Sequence, residues 1–354
     1  MAISHYFVRP TNGADVAGQG TTHATAYKTT QFALDDVGGT HGRNVVDGDQ
    51  INICDSSLEG ADILAAPLSL AAYGAPSITA ALRLCGYTAT VDDGGIGELS
   101  GGGAVPIWDA SGQSHVTMRH LHCHNVGANS VIYLGSYNNI VNCEIDTAGV
   151  NGVRGNSTVV GCHIHDVGQY GVMFGTVMGC FIEGCGSYCL YDASAYSNVL
   201  NTTAALGIIV GTKTIVGNVI IKSGGIAGAG INGANAWNII ANNIICGWGT
   251  GISTIYVQAM VGPNAYYNNA TNENVTKTPA VYHNSVQLLA DPFTNAAGGD
   301  FSLTEAAQAA LRSAGWPASY LGASTDPHIT IGAVQYGEGG GSGVIRRAMR
   351  ILGG

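Results

Sequence analysis

The sequence predicts an all-β fold, a single-stranded parallel solenoid. Three observations carry that prediction: a segment of about 20 residues recurs along the chain, residues alternate within each copy, and the composition is poor in charge and rich in glycine. Residues 118–127 (MRHLHCHNVG), 140–149 (IVNCEIDTAG), 159–168 (VVGCHIHDVG) and 177–186 (VMGCFIEGCG) share one pattern ending in glycine, and it continues more loosely through 199–204, 215–220 and 239–244. Aligned in this way, Leu121, Cys143, Cys162, Cys180, Thr202, Asn218 and Asn242 are equivalent, at steps of 22, 19, 18, 22, 16 and 24 residues.

Alternation assigns faces, because successive strand residues point to opposite sides. Val141, Cys143 and Ile145 share a face, as do Val160, Cys162, Ile164 and Met178, Cys180, Ile182, and this face is expected inside. Coils stacked about 4.8 Å apart would bring equivalent side chains into ladders. Cys143, Cys162 and Cys180 are expected to form a buried core ladder that Asn218 and Asn242 extend as bonded amides. Gly127, Gly149, Gly168 and Gly186 are expected at corners that need positive φ.

The composition agrees. Charged residues are 10% of 354, glycines number 53, and the net charge is −10 with a pI near 5.4. An acidic body offers no electrostatic footprint for nucleic acid. The nine cysteines are odd in number and suit reduced core thiols better than a disulfide framework. No apolar span reaches membrane length, and the polar start MAISHYFVRPTNGADVAGQG is unlike a secretory signal. Synthesis in a cytoplasm is therefore expected, with no membrane partner.

This repeat is the signature of the right-handed parallel β-helix, and the chain resembles the pectate-lyase-like superfamily at both ends as well. YFVRPTNGADVAGQGTTHATAYKTTQFALDDV followed by GDQINI resembles the family's N-terminal entry, in which a short helix, here about residues 26–37, caps the first coil. DPFTNAAGGDFSL and ITIGAVQ resemble its closing segment. The organisation expected is a cap over 1–45, a β-helix over 46–336, and a terminal peptide over 337–354. In that peptide a Gly-rich linker precedes VIRRAMRIL. There Val344, Ile345, Met349 and Leu352 would form an apolar face and Arg346, Arg347 and Arg350 a basic one. Such a peptide is too short to be a stable helix alone, so it is expected to order against a protein partner.

The outward face carries the candidate chemistry. His122, Glu144, His163 and Phe181 fall in one column, and His124, Asp146, His165 and Glu183 in the next. Imidazoles beside carboxylates suit a divalent metal or acid–base work, with His124, Asp146 and His165 as candidate ligands across three coils. The alternative is a solvated polar face whose alternating charges avoid repulsion. Cys180, Cys185 and Cys189 lack the fourth ligand of a zinc site, and no cofactor is expected. The resemblance implies carbohydrate chemistry, with calcium-binding acids and a basic proton acceptor in lyases and paired carboxylates in hydrolases. This chain has no Lys or Arg between Arg154 and Lys213, which argues against cleavage of polyuronates. Asp146, Glu183 and Asp192 remain as catalytic candidates for a neutral glycan, and Tyr188, Tyr191 and Tyr196 as a sugar-stacking platform.

The function expected is a structural or adhesive component of a larger assembly, with a bacteriophage virion as its setting. It would be a capsid decoration or spike, homo-oligomeric with a trimer favoured, held to a capsid or tail protein by the C-terminal peptide and exposed on the virion surface. The alternatives are a polysaccharide lyase or glycosidase, a non-catalytic glycan-binding module, and secretion without a classical signal.

Overall fold

The computed structural model describes residues 4–17, 19–37, 49–69, 81–110, 114–211, 213–233, 238–255, 259–275, 281–282 and 285–311. The peptide carrying Val344 to Leu352 and the segment ITIGAVQ lie outside them. The chain divides into two units, residues 1–168 and 169–354, and both are parallel β-solenoids whose successive coils stack strands into three sheets.

In the first unit, the first sheet runs in chain order through His5–Val8, Gln50–Cys54, Leu82–Tyr87, Val116–Arg119, Asn138–Val141 and Ser157–Val160. The second sheet takes Asp62–Ile63, Gly97–Ser100, Leu121–His124, Glu144–Ile145 and His163–Ile164, and the third takes Trp108–Ala110, Ile132–Leu134 and Val153–Arg154. Pairing is parallel and residue by residue, with Glu144 opposite both His122 and His163. Helix Thr30–Val37 contacts the first two strands of the first sheet. It begins four residues later than the expected 26, and Tyr27 forms a bridge to Val8 in its place.

A single left-handed residue separates the first sheet from the second in successive coils: His120 (φ 52°), Asn142 (51°) and Gly161 (61°) in the first unit, and Gly179 (60°), Ser197 (54°), Gly217 (70°) and Asn242 (58°) in the second. This residue turns the chain and resets the alternation of side chains. Ile140, Val159 and Val177 therefore point inward, while Val141, Val160 and Met178, expected inside, are only half-buried. Arg119, at the end of its strand, is exposed for the same reason.

Beyond the turn, Leu121, Cys143, Cys162 and Cys180 are all buried. In the first unit the Cys143 amide donates to Cys162 Sγ at 3.5 Å. In the second unit the buried row is amide, and it corrects the sequence alignment. It runs from Cys180 through Asn198, Asn218, Asn243 and Asn264, so Asn198 takes the place given to Thr202 and Asn243 the place given to Asn242. Asn242 is the turn residue instead. Asn198 Nδ2 donates to Asn218 Oδ1 at 2.9 Å, Asn218 to Asn243 at 3.0 Å, and Asn243 to Asn264 at 3.0 Å. Each of these oxygens also accepts the preceding coil's backbone N–H at 3.0 Å, and each Nδ2 also donates to a backbone carbonyl. Full pairing is what allows four amides to be buried without the cost of unsatisfied polar groups.

Of the four corner glycines only Gly127 has positive φ, 59°. Gly149 and Gly168 are needed for close approach instead: an added Cβ would lie 2.5 Å from Gly127 O and 2.2 Å from Gly149 O respectively.

The outer face of the second sheet in the second unit is apolar, in contrast to the polar face expected through Phe181. Val199, Val219, Ile244 and Ala265 are buried there beneath the antiparallel hairpin Phe293–Asn295 and Asp300–Leu303 and the helix Glu305–Leu311. Phe301 packs 5.7 Å from Phe181 and 5.8 Å from Phe293.

The amide row leads to a stability prediction. Asn218→Ala strands the Asn198 backbone and Nδ2 donors and removes the side-chain donor to the Ala195 carbonyl, and is expected to cost about 3 kcal/mol in urea unfolding. Ser197→Gly, at a left-handed turn, is expected to change stability by less than about 1 kcal/mol.

Candidate functional site

The outer face of the second sheet in the first unit concentrates imidazoles and carboxylates. Leu121 and Cys123 point inward, which sends His122 and His124 outward from one strand. The neighbouring coils present Glu98 before this strand, Glu144 and Asp146 after it, then His163 and His165. Parallel register places Glu98, His122, Glu144 and His163 in one column, and Ser100, His124, Asp146 and His165 in the next. Each of these four imidazole side chains keeps between 18% and 24% of its surface exposed, so the cluster is partly desolvated and reachable from solvent.

Pairing runs diagonally between coils. His124 Nε2 lies 2.8 Å from Glu98 Oε1, and His165 Nε2 lies 3.2 Å from Glu144 Oε1. These are the same step, from the second column back to the first column of the preceding coil. His122 Nε2 lies 3.0 Å from Asp146 Oδ2, which is also 3.6 Å from His165 Nε2. Within each strand the rings pack together, His122 with His124 at 4.4 Å and 17°, and His163 with His165 at 4.3 Å and 31°.

This geometry sets the protonation states. The hydrogen bond that His165 donates to Glu144 outweighs burial and, with Asp166 and the Asp146 charge, raises the His165 pKa to about 9. Burial pulls the His122 pKa down, but the bond to Asp146 and the charges of Glu144 and Glu98 reverse the effect and raise it. The His165 hydrogen bond holds Glu144 below the ordinary carboxylate range against burial. Burial pushes Asp146 up, yet its bonds from His122 and Thr147 leave it lowered.

Glu98 is the residue that sequence reasoning missed. Its strand precedes the recognisable repeats, and the only signal was a carboxylate 24 residues before His122, close to the repeat length. Among the described residues the ligand atoms that lie within 4.8 Å of one another group as Glu98, His122, His124; as Glu144, His163, His165; and as His122, Glu144, Asp146. The proposed set of His124, Asp146 and His165 is not among these groups, because His124 turns to Glu98 of the preceding coil, while Asp146 and His165 lie 3.6 Å apart. None of these groups contains cysteine; all nine cysteines are buried thiols, and burial together with neighbouring thiols raises the pKa of those at the centre, such as Cys143.

The other candidates lie in the second unit. Glu183 ends a strand of the second sheet opposite Asn201. Asp192 occupies a left-handed turn (φ 49°), where its Oδ1 accepts the Gly211 amide at 3.0 Å and its Oδ2 is 3.9 Å from Lys213 Nζ. It belongs to a turn. Tyr188 and Tyr191 lie on the third sheet with Tyr170, which stacks 5.3 Å from Tyr188 at 14° and 5.0 Å from Tyr191 at 24°. Phe174 meets Tyr191 edge-on at 6.1 Å. Tyr196 is on a first-sheet strand, Ser194–Tyr196.

No family model matches the chain, and no curated protein sequence matches it. Among solved structures, pectate lyase Pel9A superposes with a TM-score of 0.58, covering 95% of this chain and 98% of that one at 11% identity. The fold is the pectate-lyase β-helix. The GH136 lacto-N-biosidase from Eubacterium ramulus gives a TM-score of 0.49 at 11% identity, over 80% of this β-helix and 68% of that chain.

The ion pairs predict a bell-shaped stability profile, measured as thermal midpoint against pH with a chelator present so that only protons titrate the cluster. His165 has a raised folded pKa, so its contribution is complete below the ordinary histidine value of 6.5 and is lost as pH rises through about 9. Glu144 and Asp146 have lowered pKa values, so their contributions are present above the ordinary 4.5 and 3.8 and are lost as pH falls below them. His165→Asn is expected to shrink the alkaline limb to the contribution of His122 and to flatten the acid one.

Proposed function

We propose that this β-helix is an adhesive structural protein that contacts a surface polysaccharide without cleaving it. The observation that carries the reading is the pairing of the histidine–carboxylate ladder, in which Glu98, Glu144 and Asp146 each already engage an imidazole. Glu144 and Asp146 are held deprotonated, so neither is the protonated carboxyl with which a glycosidase activates its leaving group. His165 keeps its proton at neutral pH, so it is no proton acceptor for a lyase. The cluster has the electrostatics of a self-neutralised face.

Contact with sugar falls to the outward tyrosines Tyr170, Tyr188 and Tyr191, half-buried on a rigid sheet, whose rings offer apolar area and whose hydroxyls offer hydrogen bonds. The similarity to Pel9A, a pectate lyase by name, is in keeping with a carbohydrate ligand. We place the protein in a bacteriophage virion as a homotrimeric decoration or spike. The sequence of residues 344–352 supports this reading, since its apolar residues interleaved with arginines suit docking on a capsid or tail protein.

Incubation with a panel of bacterial surface polysaccharides tests the reading. The expected result is retention on at least one polysaccharide, with no unsaturated product and no new reducing ends. Tyr188→Ala and Tyr191→Ala are each expected to weaken retention by roughly tenfold. Product release that disappears in Asp146→Asn would establish an enzyme instead.

A further inference from the structure

The ladder contains one arrangement twice. Glu98 precedes His122 and His124 by one coil, and Glu144 precedes His163 and His165 by one coil. In both copies the His-x-His spacing puts two rings on one face of a strand, in contact at 4.4 and 4.3 Å. In both, the second imidazole turns Nε2 onto the carboxylate of the coil below, at 2.8 and 3.2 Å. The three ligand atoms of each copy lie within 4.8 Å of one another.

Each copy also has a further carboxylate on one of its rings. Asp146 Oδ2 is 3.0 Å from His122 Nε2, and Asp166 Oδ2 is 2.9 Å from His165 Nδ1. A carboxylate on the second nitrogen of an imidazole fixes the ring and its tautomer, the usual support for a metal-binding histidine. In the second copy it leaves Nε2, the nitrogen that faces Glu144, as the ligand.

We propose that the two copies are paired binding sites for divalent transition-metal ions, one ion to each carboxylate and His-x-His set, with Zn2+ as the ion whose chemistry fits. Two imidazoles and one carboxylate form a borderline donor set that suits zinc, nickel or copper, whereas calcium and magnesium require oxygen ligands. Solvent access leaves room for water as the fourth ligand of a tetrahedral ion. The third group, His122, Glu144 and Asp146, shares a ligand with each copy and is not filled alongside them. The ions would lie about two coil heights, roughly 10 Å, apart, with Asp146 between them to offset their charge. Each ion links two coils, so it ties the stack together as well as occupying it. This inference is independent of glycan binding.

The test uses untagged full-length chain stripped with chelator, titrated with ZnCl2 by calorimetry and assayed for zinc retained after gel filtration. Two ions per chain are expected from the two sets. The Kd for Zn2+ is expected to lie at least roughly 100-fold below that for Ca2+. His122→Asn and His165→Asn are each expected to retain one ion and the double variant none, since His122 belongs to the third group as well as to the first copy, with the zinc-induced rise in thermal midpoint lost in parallel. His124→Asn and His163→Asn give the same single-variant counts by a second route, should circular dichroism show either first variant unfolded. Any other wild-type stoichiometry, or any ion retained by the double variant, would overturn the proposal.

Discussion

Parallel hydrogen bonding of one coil to the next is the constraint on which the rest of this structure depends. Once Glu144 is opposite His122 below and His163 above, every side chain has its counterpart about 4.8 Å away along the stack. A residue type acceptable once is then repeated, and its neighbours in space are the residues one repeat away in sequence. Burial, charge and metal-binding capacity all follow from which residues share a column.

The two units use that constraint with different chemistry. Inside, the row after the turn is thiol in the first unit and amide in the second. Thiols tolerate burial with weak partners, whereas amides require complete pairing, and Asn198, Asn218, Asn243 and Asn264 supply it to one another. Outside, the second sheet carries histidines and carboxylates in the first unit, where opposite charges alternate from coil to coil. In the second unit it carries Val199, Val219 and Ile244, buried under the terminal hairpin and helix.

Much of this was legible in the sequence. The period near 20, the inward Cys143 and Cys162 and the outward histidines follow from alternation alone. What alternation could not reveal was the left-handed residue between sheets. Because it resets the side-chain sense, Val141 and Val160 turn outward, and the amide row moves by one residue from Asn242 to Asn243. Asn–Asn at 242–243 gives no compositional reason to choose between them. Glu98 lay before the recognisable repeats. The cover over Phe181 involves residues more than 100 positions away, beyond the reach of any local pattern. The diagonal direction of the ion pairs is likewise a matter of rotamers, which spacing does not encode.

The claim at the centre of this account is that residues one repeat apart meet across neighbouring coils. A double-mutant cycle on His165 and Glu144, measured by urea unfolding at neutral pH with chelator present, tests it most directly. These side chains are 21 residues apart in sequence and 3.2 Å apart in space. The account predicts a favourable coupling of about 0.5–1 kcal/mol at neutral pH that disappears above the pKa of His165. Additive single effects at neutral pH would contradict the register and, with it, both the ladder and the paired sites built on it.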